Sequence, residues 1–344
     1  FEVISMDPFA RYLPALEAEL RRRVSPPPEA PALLYGMLHY HLGWVDTDFQ
    51  PHEADAGKRL RPIFLLLSCE AQGGEWERAL PAAAAIELLH NFSLIHDDIE
   101  DRDATRRGRA TLWAVWGEAQ AINAGDTLFA LAYRALLGLQ NTITSPTVVL
   151  TALSRLDRAV AHLTEGQCLD MAFEKQTTVE ESTYLQMIAG KTAALLGLSC
   201  ELGALLANAP EEHVIAAHEF GFNLGLSFQM QDDLLGLWGD PARTGKPVGA
   251  DLRRGKKTLP ILHGIAQNPQ LRARLEALQV THPDEDTITA LCATLEATGS
   301  RAYTETRARE YQSQALAALA QSKGTGVAFT ALQSLAERLL GRER

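Results

Sequence analysis

Apolar residues recur at intervals of three and four along most of the chain, as in Phe329, Leu332, Leu335 and Leu339, the spacing that lines one face of an α-helix. Ala, Leu, Glu and Arg dominate, and all are good helix formers. Alternating runs of β-branched residues are nearly absent, so strands are not expected. The pattern predicts helices near 31–43, 59–73, 78–101, 117–139, 147–173, 180–207, 211–235, 257–268, 284–297, 300–322 and 326–341. Turn chemistry separates them at Gly73-Gly74, Arg106-Arg107-Gly108, Ser145-Pro146, Ala209-Pro210, Gly239-Asp240-Pro241 and Gly324-Thr325-Gly326. The expected fold class is all-α, a bundle of long, mostly antiparallel helices. Ser25-Pro26-Pro27-Pro28 is a stiff break. It sets off residues 1–30, an N-terminal segment rich in Glu and Arg, from a single all-helical domain over 31–344.

Composition narrows the function. The chain has 344 residues, 46% of them apolar, and a net charge of −11. An acidic chain is a poor general binder of nucleic acid or anionic membrane, since both need a basic surface. Polyphosphates would have to be held by local cations or by metal. Cys69, Cys168, Cys200 and Cys292 show no CxxC spacing, which argues against zinc or a disulfide framework and fits a reducing cytoplasm. The best candidate for a membrane span, Ala82 to Ile95, is broken by Glu87, His90 and Asn91, so no stable membrane insertion is expected.

Two aspartate clusters carry the chemistry. The first is Asp97-Asp98-Ile99-Glu100-Asp101, at the end of a long apolar helix. Asp97 and Asp101 are four apart and Asp98 and Asp101 three apart, spacings that share a helix face and set like charges against each other. A bound cation removes that conflict. Magnesium suits it, being commonly held by one or two carboxylates plus substrate phosphates. The second cluster is Asp232-Asp233-Leu234-Leu235-Gly236, with Gln229 on the same face. Two such ends facing each other across a bundle suit three magnesium ions bridged by a diphosphate.

Cations accompany both clusters. Lys58 and Arg61 lie three apart in Gly57-Lys58-Arg59-Leu60-Arg61-Pro62. Arg106 and Arg107 follow the first cluster, Lys246 and Lys256 follow the second, and Lys191-Thr192 interrupts an apolar helix. Arginine forks suit phosphate oxygens and lysine acts as a movable point charge. Each basic residue alone would read as a surface charge; Lys191, in Met187 to Leu195, is too apolar in its surroundings for that.

These motifs, from Gly57–Pro62 through His90–Asp103, Arg106–Gly108, Gly166-Gln167 with Asp170, Lys191-Thr192 and Gln229–Pro260, resemble the trans-isoprenyl diphosphate synthases of the polyprenyl synthetase family. The resemblance covers roughly residues 50 to 265. It implies an all-α isoprenoid-synthase fold, a central cavity, a homodimer, and condensation of isopentenyl diphosphate with an allylic diphosphate (dimethylallyl, geranyl or farnesyl). By position, it assigns magnesium to Asp97, Asp101 and Asp232, with Asp98 and Asp233 in support. It assigns the isopentenyl diphosphate to Lys58, Arg61, His90 and Arg107, and the allylic diphosphate to Arg106, Lys191, Lys246 and Lys256. Thr192 and Gln229 would flank the developing carbocation, with Gln167 and Asp170 close by. The chain departs from the family at Gly236, where the second motif normally has its third acid; Asp240 is a further turn on.

Product length should be set along the first-cluster helix. Side chains lean toward the helix N-terminus, which puts Ser93 under Asp97 with Phe92 obliquely beside it. In the resembling family an aromatic residue five before the first Asp often limits length. Phe92 holds that place, and the motif has no insertion, which implies geranylgeranyl (C20) diphosphate, with farnesyl (C15) as the alternative. Two rivals belong to other classes. A class I terpene cyclase would lack the second aspartate pair and need no second diphosphate site. A non-catalytic partner subunit would usually lose the acids.

Overall fold

The computed structural model describes residues 8–55, 57–143, 145–174, 176, 179–241, 247–278 and 284–340. Its helices are α1 Pro8–Arg23, α2 Ala32–His41, α3 Leu60–Ala71, α4 Leu80–Glu100, α5 Leu112–Trp116, α6 Glu118–Leu137, α7 Pro146–Glu174, α8 Glu181–Ile188, α9 Ala194–Leu206, α10 Glu211–Trp238, α11 Ala250–Arg253, α12 Leu259–Gln267, α13 Gln270–Leu278, α14 Glu285–Ala297, α15 Ser300–Gln321 and α16 Gly326–Leu340. A π-helical turn, Ala189–Ala193, joins α8 to α9 without a break. Every helix expected from the apolar spacing is present, and the fold is all-α. The sequence pattern missed α1, α5, α11 and α13. It also missed a short antiparallel hairpin, β1 Thr105–Arg106 with β2 Arg109–Ala110, paired Thr105 to Ala110 and Arg106 to Arg109.

The chain forms two compact units. The first comprises Phe1–Asp157, Ser199–Ile215 and Lys323–Leu332; the second comprises Arg158–Leu198, Ala216–Ser322 and Gln333–Arg344. Residues on both sides of the proline break therefore belong to the first unit.

In the first unit α4 packs along α6. The run Ala82–Ala85 of α4 is fully buried, and α6 buries Ala121, Ala124, Leu128, Ala132 and Ala135. Small side chains on both helices allow their axes to approach closely. Helix α1 lies against α3 and α4 with Tyr12, Leu16 and Leu20 buried at four-residue intervals. Arg11 Nη1 and the Tyr12 hydroxyl both donate to Glu70 of α3. This packing fixes the C-terminal end of α4, where the first acid cluster sits.

Among the described residues the second unit shows two apolar clusters. One gathers Tyr184, Met187 and Ile188 of α8 with Leu226 and Met230 of α10 and Leu259 and Leu262 of α12. The other gathers Leu237, Leu252, Ile261, Leu271, Ile288, Leu291 and Leu295. The first cluster fixes the π turn and the middle of α10; the second fixes the end of α10 and α11. By length and composition the continuous helix Glu181–Leu206 could cross a membrane, but 83% of its apolar window is buried inside the protein.

Candidate active site

The last turn of α4 closes with a hydrogen bond from the Asp101 N–H to the Asp97 carbonyl, 2.8 Å, so the two carboxylates leave the same face one turn apart. Asp98 has different surroundings. It is 2% exposed and accepts Arg106 Nε at 2.6 Å, while Arg106 Nη2 reaches Asp97 at 3.3 Å. Burial raises the Asp98 carboxyl to about 6, and the Arg106 guanidinium opposes that rise. Asp98 thus ties the hairpin to the helix end.

The hairpin turns through Arg107 and Gly108, with φ of 51° and 72°. Two left-handed residues in a two-residue loop make the type I′ turn that matches strand twist. Glycine adopts it freely; Arg107 is held there by its surroundings. Arg109 locks the hairpin base. Its Nη1 donates to the Tyr40 carbonyl and its Nη2 to the Val45 carbonyl, both at 2.9 Å, and its guanidinium lies 3.9 Å from the Tyr40 ring centre. The Arg107 guanidinium covers Gly57, where a Cβ would come within 2.6 Å of Arg107 Cζ. That contact joins the hairpin to the Gly57–Pro62 loop.

In the loop, Arg59 is left-handed at φ 49° and caps the start of α3. It is 4% exposed and donates to Glu17 at 2.9 Å, to Glu87 at 2.7 Å and to the Leu42 carbonyl at 3.4 Å. Lys58 therefore precedes the helix and is exposed, while Arg61 sits in its first turn. The two flank a fixed corner and do not share a helical face. Arg61 Nη1 lies 3.2 Å from His90 Nε2. Since a guanidinium only donates, Nε2 is the acceptor and the ring proton sits on Nδ1. Burial first, then Arg61, Arg107 and Arg106, push His90 well below the ordinary histidine range, so the ring is neutral at pH 7.

In the second unit the π turn aims adjacent residues at different helices. Lys191 Nζ donates to Asp170 of α7 at 2.6 Å, and Thr192 Oγ1 donates to Gln229 Oε1 of α10 at 2.8 Å. Such single π turns are common at functional sites. The turn lies against α7 where a Cβ on Gly166 would come within 2.8 Å of the Met187 carbonyl oxygen and the Gly190 carbonyl carbon, so only glycine fits. Gln229 Nε2 donates onward to Asp233 Oδ1 at 3.1 Å. Asp233 Oδ2 accepts the Tyr184 hydroxyl at 2.6 Å and the Leu259 N–H at 3.2 Å. Asp233 is 3% exposed; burial raises its carboxyl to about 7 against those hydrogen bonds. Asp232 is exposed.

Helix α10 ends at Trp238, so Asp240 lies beyond it. At Gly236 the space for a side chain is already filled, because a Cβ there would come within 2.5 Å of Asp251 Cγ. Lys256 is half-buried, and its N–H donates to the Asp251 carbonyl at 3.0 Å. Lys246 lies outside the described residues. Sequence reasoning missed Arg109, Tyr184 and Asp251. Only Arg109 had a nearby signal, its place beside Arg106-Arg107-Gly108; Tyr184 lies 49 residues from Asp233.

Below the first acid cluster, Phe92 makes an edge contact with His96 at 4.8 Å and packs against Phe129 of α6 at 5.1 Å, and Phe129 packs against Tyr133 at 5.1 Å. The Ser93 hydroxyl donates to the His90 carbonyl at 2.8 Å. Phe92 is therefore one end of an aromatic row that continues onto a second helix.

The chain was also compared with known proteins. The polyprenyl synthetase family model matches residues 46–295. A (2E,6E)-farnesyl diphosphate synthase of Mycobacterium bovis is 40% identical over 312 residues, covering 89% of this chain and 86% of that protein. A geranylgeranyl diphosphate synthase of Mycobacterium tuberculosis is 45% identical over 260 residues, covering 74% and 73%. The crystal structure of a polyprenyl synthetase from Streptomyces coelicolor superposes with a TM-score of 0.84 at 36% identity, covering 96% of this chain and 97% of that one. The chain belongs to the polyprenyl synthetase family and is a trans-prenyltransferase.

Proposed function

We propose that this enzyme condenses isopentenyl diphosphate with allylic diphosphates, with magnesium as cofactor, and that its main product is geranylgeranyl diphosphate. The observation that carries the reading is the set of cations in the first unit. Arg106 is bonded to the acid cluster, while Arg61, with the neutral His90 beside it, Arg107 over Gly57 and Lys58 next in the chain belong to the Gly57–Pro62 loop and its neighbours. Two groups of cations suit two diphosphates, which a cyclase would not need.

The donor set fits magnesium. Asp97 and Asp101 offer two hard oxygen ligands one turn apart. That is the expected pattern for an ion held by one or two carboxylates and completed by substrate phosphates. Asp97 and Asp101 would hold magnesium in the first unit and Asp232 in the second, three ions in all. Magnesium, when bound, neutralises charge on the leaving diphosphate. The oxygens of Asp98 and Asp233 are engaged by Arg106 and by Tyr184, Gln229 and Leu259, so these two acids position the ligand-bearing helix ends.

In the reaction the allylic C–O bond breaks and its electron pair leaves with the diphosphate. The double bond of isopentenyl diphosphate attacks the resulting C1 cation, and a proton lost from C2 of the added unit to the released diphosphate restores a double bond. In the first unit, Lys58, Arg61, His90 and Arg107 hold the isopentenyl diphosphate and Arg106 the allylic one. In the second unit, Lys191 and Lys256, with Lys246, neutralise the departing diphosphate. Thr192 and Gln229, linked at 2.8 Å, present hydroxyl and carbonyl dipoles to the cation without offering a nucleophile. Phe92, Ser93 and the aromatic row on α6 set product length. A farnesyl product is the second reading, favoured by the packing of Phe92, Phe129 and Tyr133 in one row. We also read the enzyme as a cytoplasmic homodimer: its free cysteines suit a reducing compartment, and the dimer rests on the family resemblance.

The test is incubation of the pure protein with magnesium, labelled isopentenyl diphosphate and dimethylallyl, geranyl or farnesyl diphosphate, with products sized. Linear C20 diphosphate is expected. Cyclised hydrocarbon, or no elongation from any primer, overturns the reading.

A further inference from the structure

The last residue of α2, His41, is held among the cationic loops. Both of its chain neighbours are pinned by arginines. The Tyr40 carbonyl accepts Arg109 Nη1 at 2.9 Å, and the Leu42 carbonyl accepts Arg59 Nη2 at 3.4 Å. Arg109 belongs to the hairpin that presents Arg107, and Arg59 is the corner between Lys58 and Arg61. The backbone on either side of His41 is thus strapped to both loops proposed to hold the isopentenyl diphosphate.

His41 Nε2 is buried and has no hydrogen-bond partner. Folded proteins rarely leave such an atom unsatisfied unless a water or ligand completes it. Burial, then the charges of Arg106, Arg107, Arg59 and Arg109, push the ring down to about 3, and His41 in turn is felt at His90. The ring therefore sits neutral in a strongly positive field. Glu17 and Glu87, which belong to the same surroundings, are both engaged by Arg59. An anion is the ligand such a field selects, and a neutral imidazole with its proton on Nε2 can donate to one.

We propose that His41 is a further binding residue for the isopentenyl diphosphate, its Nε2–H donating to a phosphate oxygen alongside Arg107. The proposal rests on the prenyl-transfer reading for the identity of the ligand. It also gives the two arginine straps a purpose: they hold α2 in the one place from which its last side chain reaches the anion.

The experiment uses the full-length enzyme and three variants, His41→Ala, His41→Gln and His41→Phe. Affinity for isopentenyl diphosphate alone and for inorganic diphosphate with magnesium is measured by calorimetry, with KM for both substrates measured in parallel. Loss of one hydrogen bond to a charged group corresponds to roughly a 10-fold or greater weakening. The expected result is therefore an isopentenyl diphosphate affinity about 10-fold weaker for His41→Ala and His41→Phe, largely restored in His41→Gln, with KM for the allylic substrate within about twofold of wild type. Unchanged isopentenyl diphosphate affinity in a variant of wild-type thermal stability overturns the proposal. So does an equal loss for both substrates, which would mark a role in the fold. Weakening confined to inorganic diphosphate also overturns it, because the anion would then be the leaving group. If the wild-type enzyme elongates no primer, the prenyl-transfer reading fails by itself, while isopentenyl diphosphate binding that depends on His41 would still uphold this site.

Discussion

The Asp251 carboxylate fills the space that a side chain on Gly236 would occupy: a Cβ on residue 236 would lie 2.5 Å from Asp251 Cγ and 2.9 Å from its Oδ1. That carboxylate comes from α11, fifteen residues on. The charge of Asp251 is felt at both Asp233 and Tyr184, so it stands in the same acidic end of the unit. A glycine inside a helix costs about 1 kcal/mol relative to alanine, and here it admits a carboxylate.

This pairing predicts a reversal of sign. Gly236→Ala alone should destabilise the protein, because overpacking of about 1–3 kcal/mol exceeds the helix-propensity gain. In an Asp251→Gly background the same substitution should stabilise by up to about 1 kcal/mol. Chemical denaturation of the four proteins in the double-mutant cycle checks this. Additive effects would mean the two residues are not in contact.

Product length should respond to two residues on different helices. Phe92 and Phe129 meet at 5.1 Å, so trimming either ring opens the same space. Phe92→Ala and Phe129→Ala should each shift the product distribution upward by one or more C5 units, seen by sizing of labelled products. The double variant should lengthen products further than either alone. A Phe92→Ala enzyme that makes no longer product would remove Phe92 from the length-setting wall.

The helices were legible because their apolar spacing is local, and both acid clusters sit where the pattern put them, at or near the ends of α4 and α10. Helix α1 was missed because Pro8 and Pro14 and a high charge density mask the stripe of Tyr12, Leu16 and Leu20. The hairpin was read as a turn, which it is, but its two rungs are too short for any alternating pattern. The site contacts were less legible. Spacing could place Lys58 and Arg61 three apart but could not show that a left-handed Arg59 stands between them. Nothing local links Gly236 to Asp251 or Tyr184 to Asp233, since those contacts are made by packing between helices distant in sequence.

Acid should destabilise the first unit partly through His90. Its folded-state pKa is depressed well below the ordinary value, so its contribution to stability is present above about pH 6.5 and is lost as pH falls toward the folded value. Below pH 6.5 the unfolded chain takes up a proton that the native ring, facing Arg61, Arg107 and Arg106, refuses. His90→Gln cannot be protonated, and its stability should fall less steeply than wild type between pH 6.5 and 5. Urea denaturation across that range is the measurement, and parallel profiles would contradict a neutral buried His90.

Thr192 provides the sharpest separation of binding from chemistry. Its hydroxyl is joined to Gln229 at 2.8 Å, and Gln229 is in turn joined to Asp233, which Tyr184 and the Leu259 N–H fix in place. The dipoles proposed to face the carbocation are therefore oriented by a buried chain that does not depend on substrate. Thr192→Val keeps the shape of the π turn but removes the donor, leaving the Gln229 carbonyl unfixed. An interaction made mainly in the transition state lowers kcat and leaves KM nearly unchanged. The expected result is a kcat roughly 10-fold to 100-fold lower, with both KM values within about twofold. Thr192→Ser, which keeps the hydroxyl, should recover most of the rate. A Thr192→Val enzyme with raised KM and unchanged kcat would instead place this hydroxyl on a diphosphate, and the role of the Thr192–Gln229 pair would have to be reassigned.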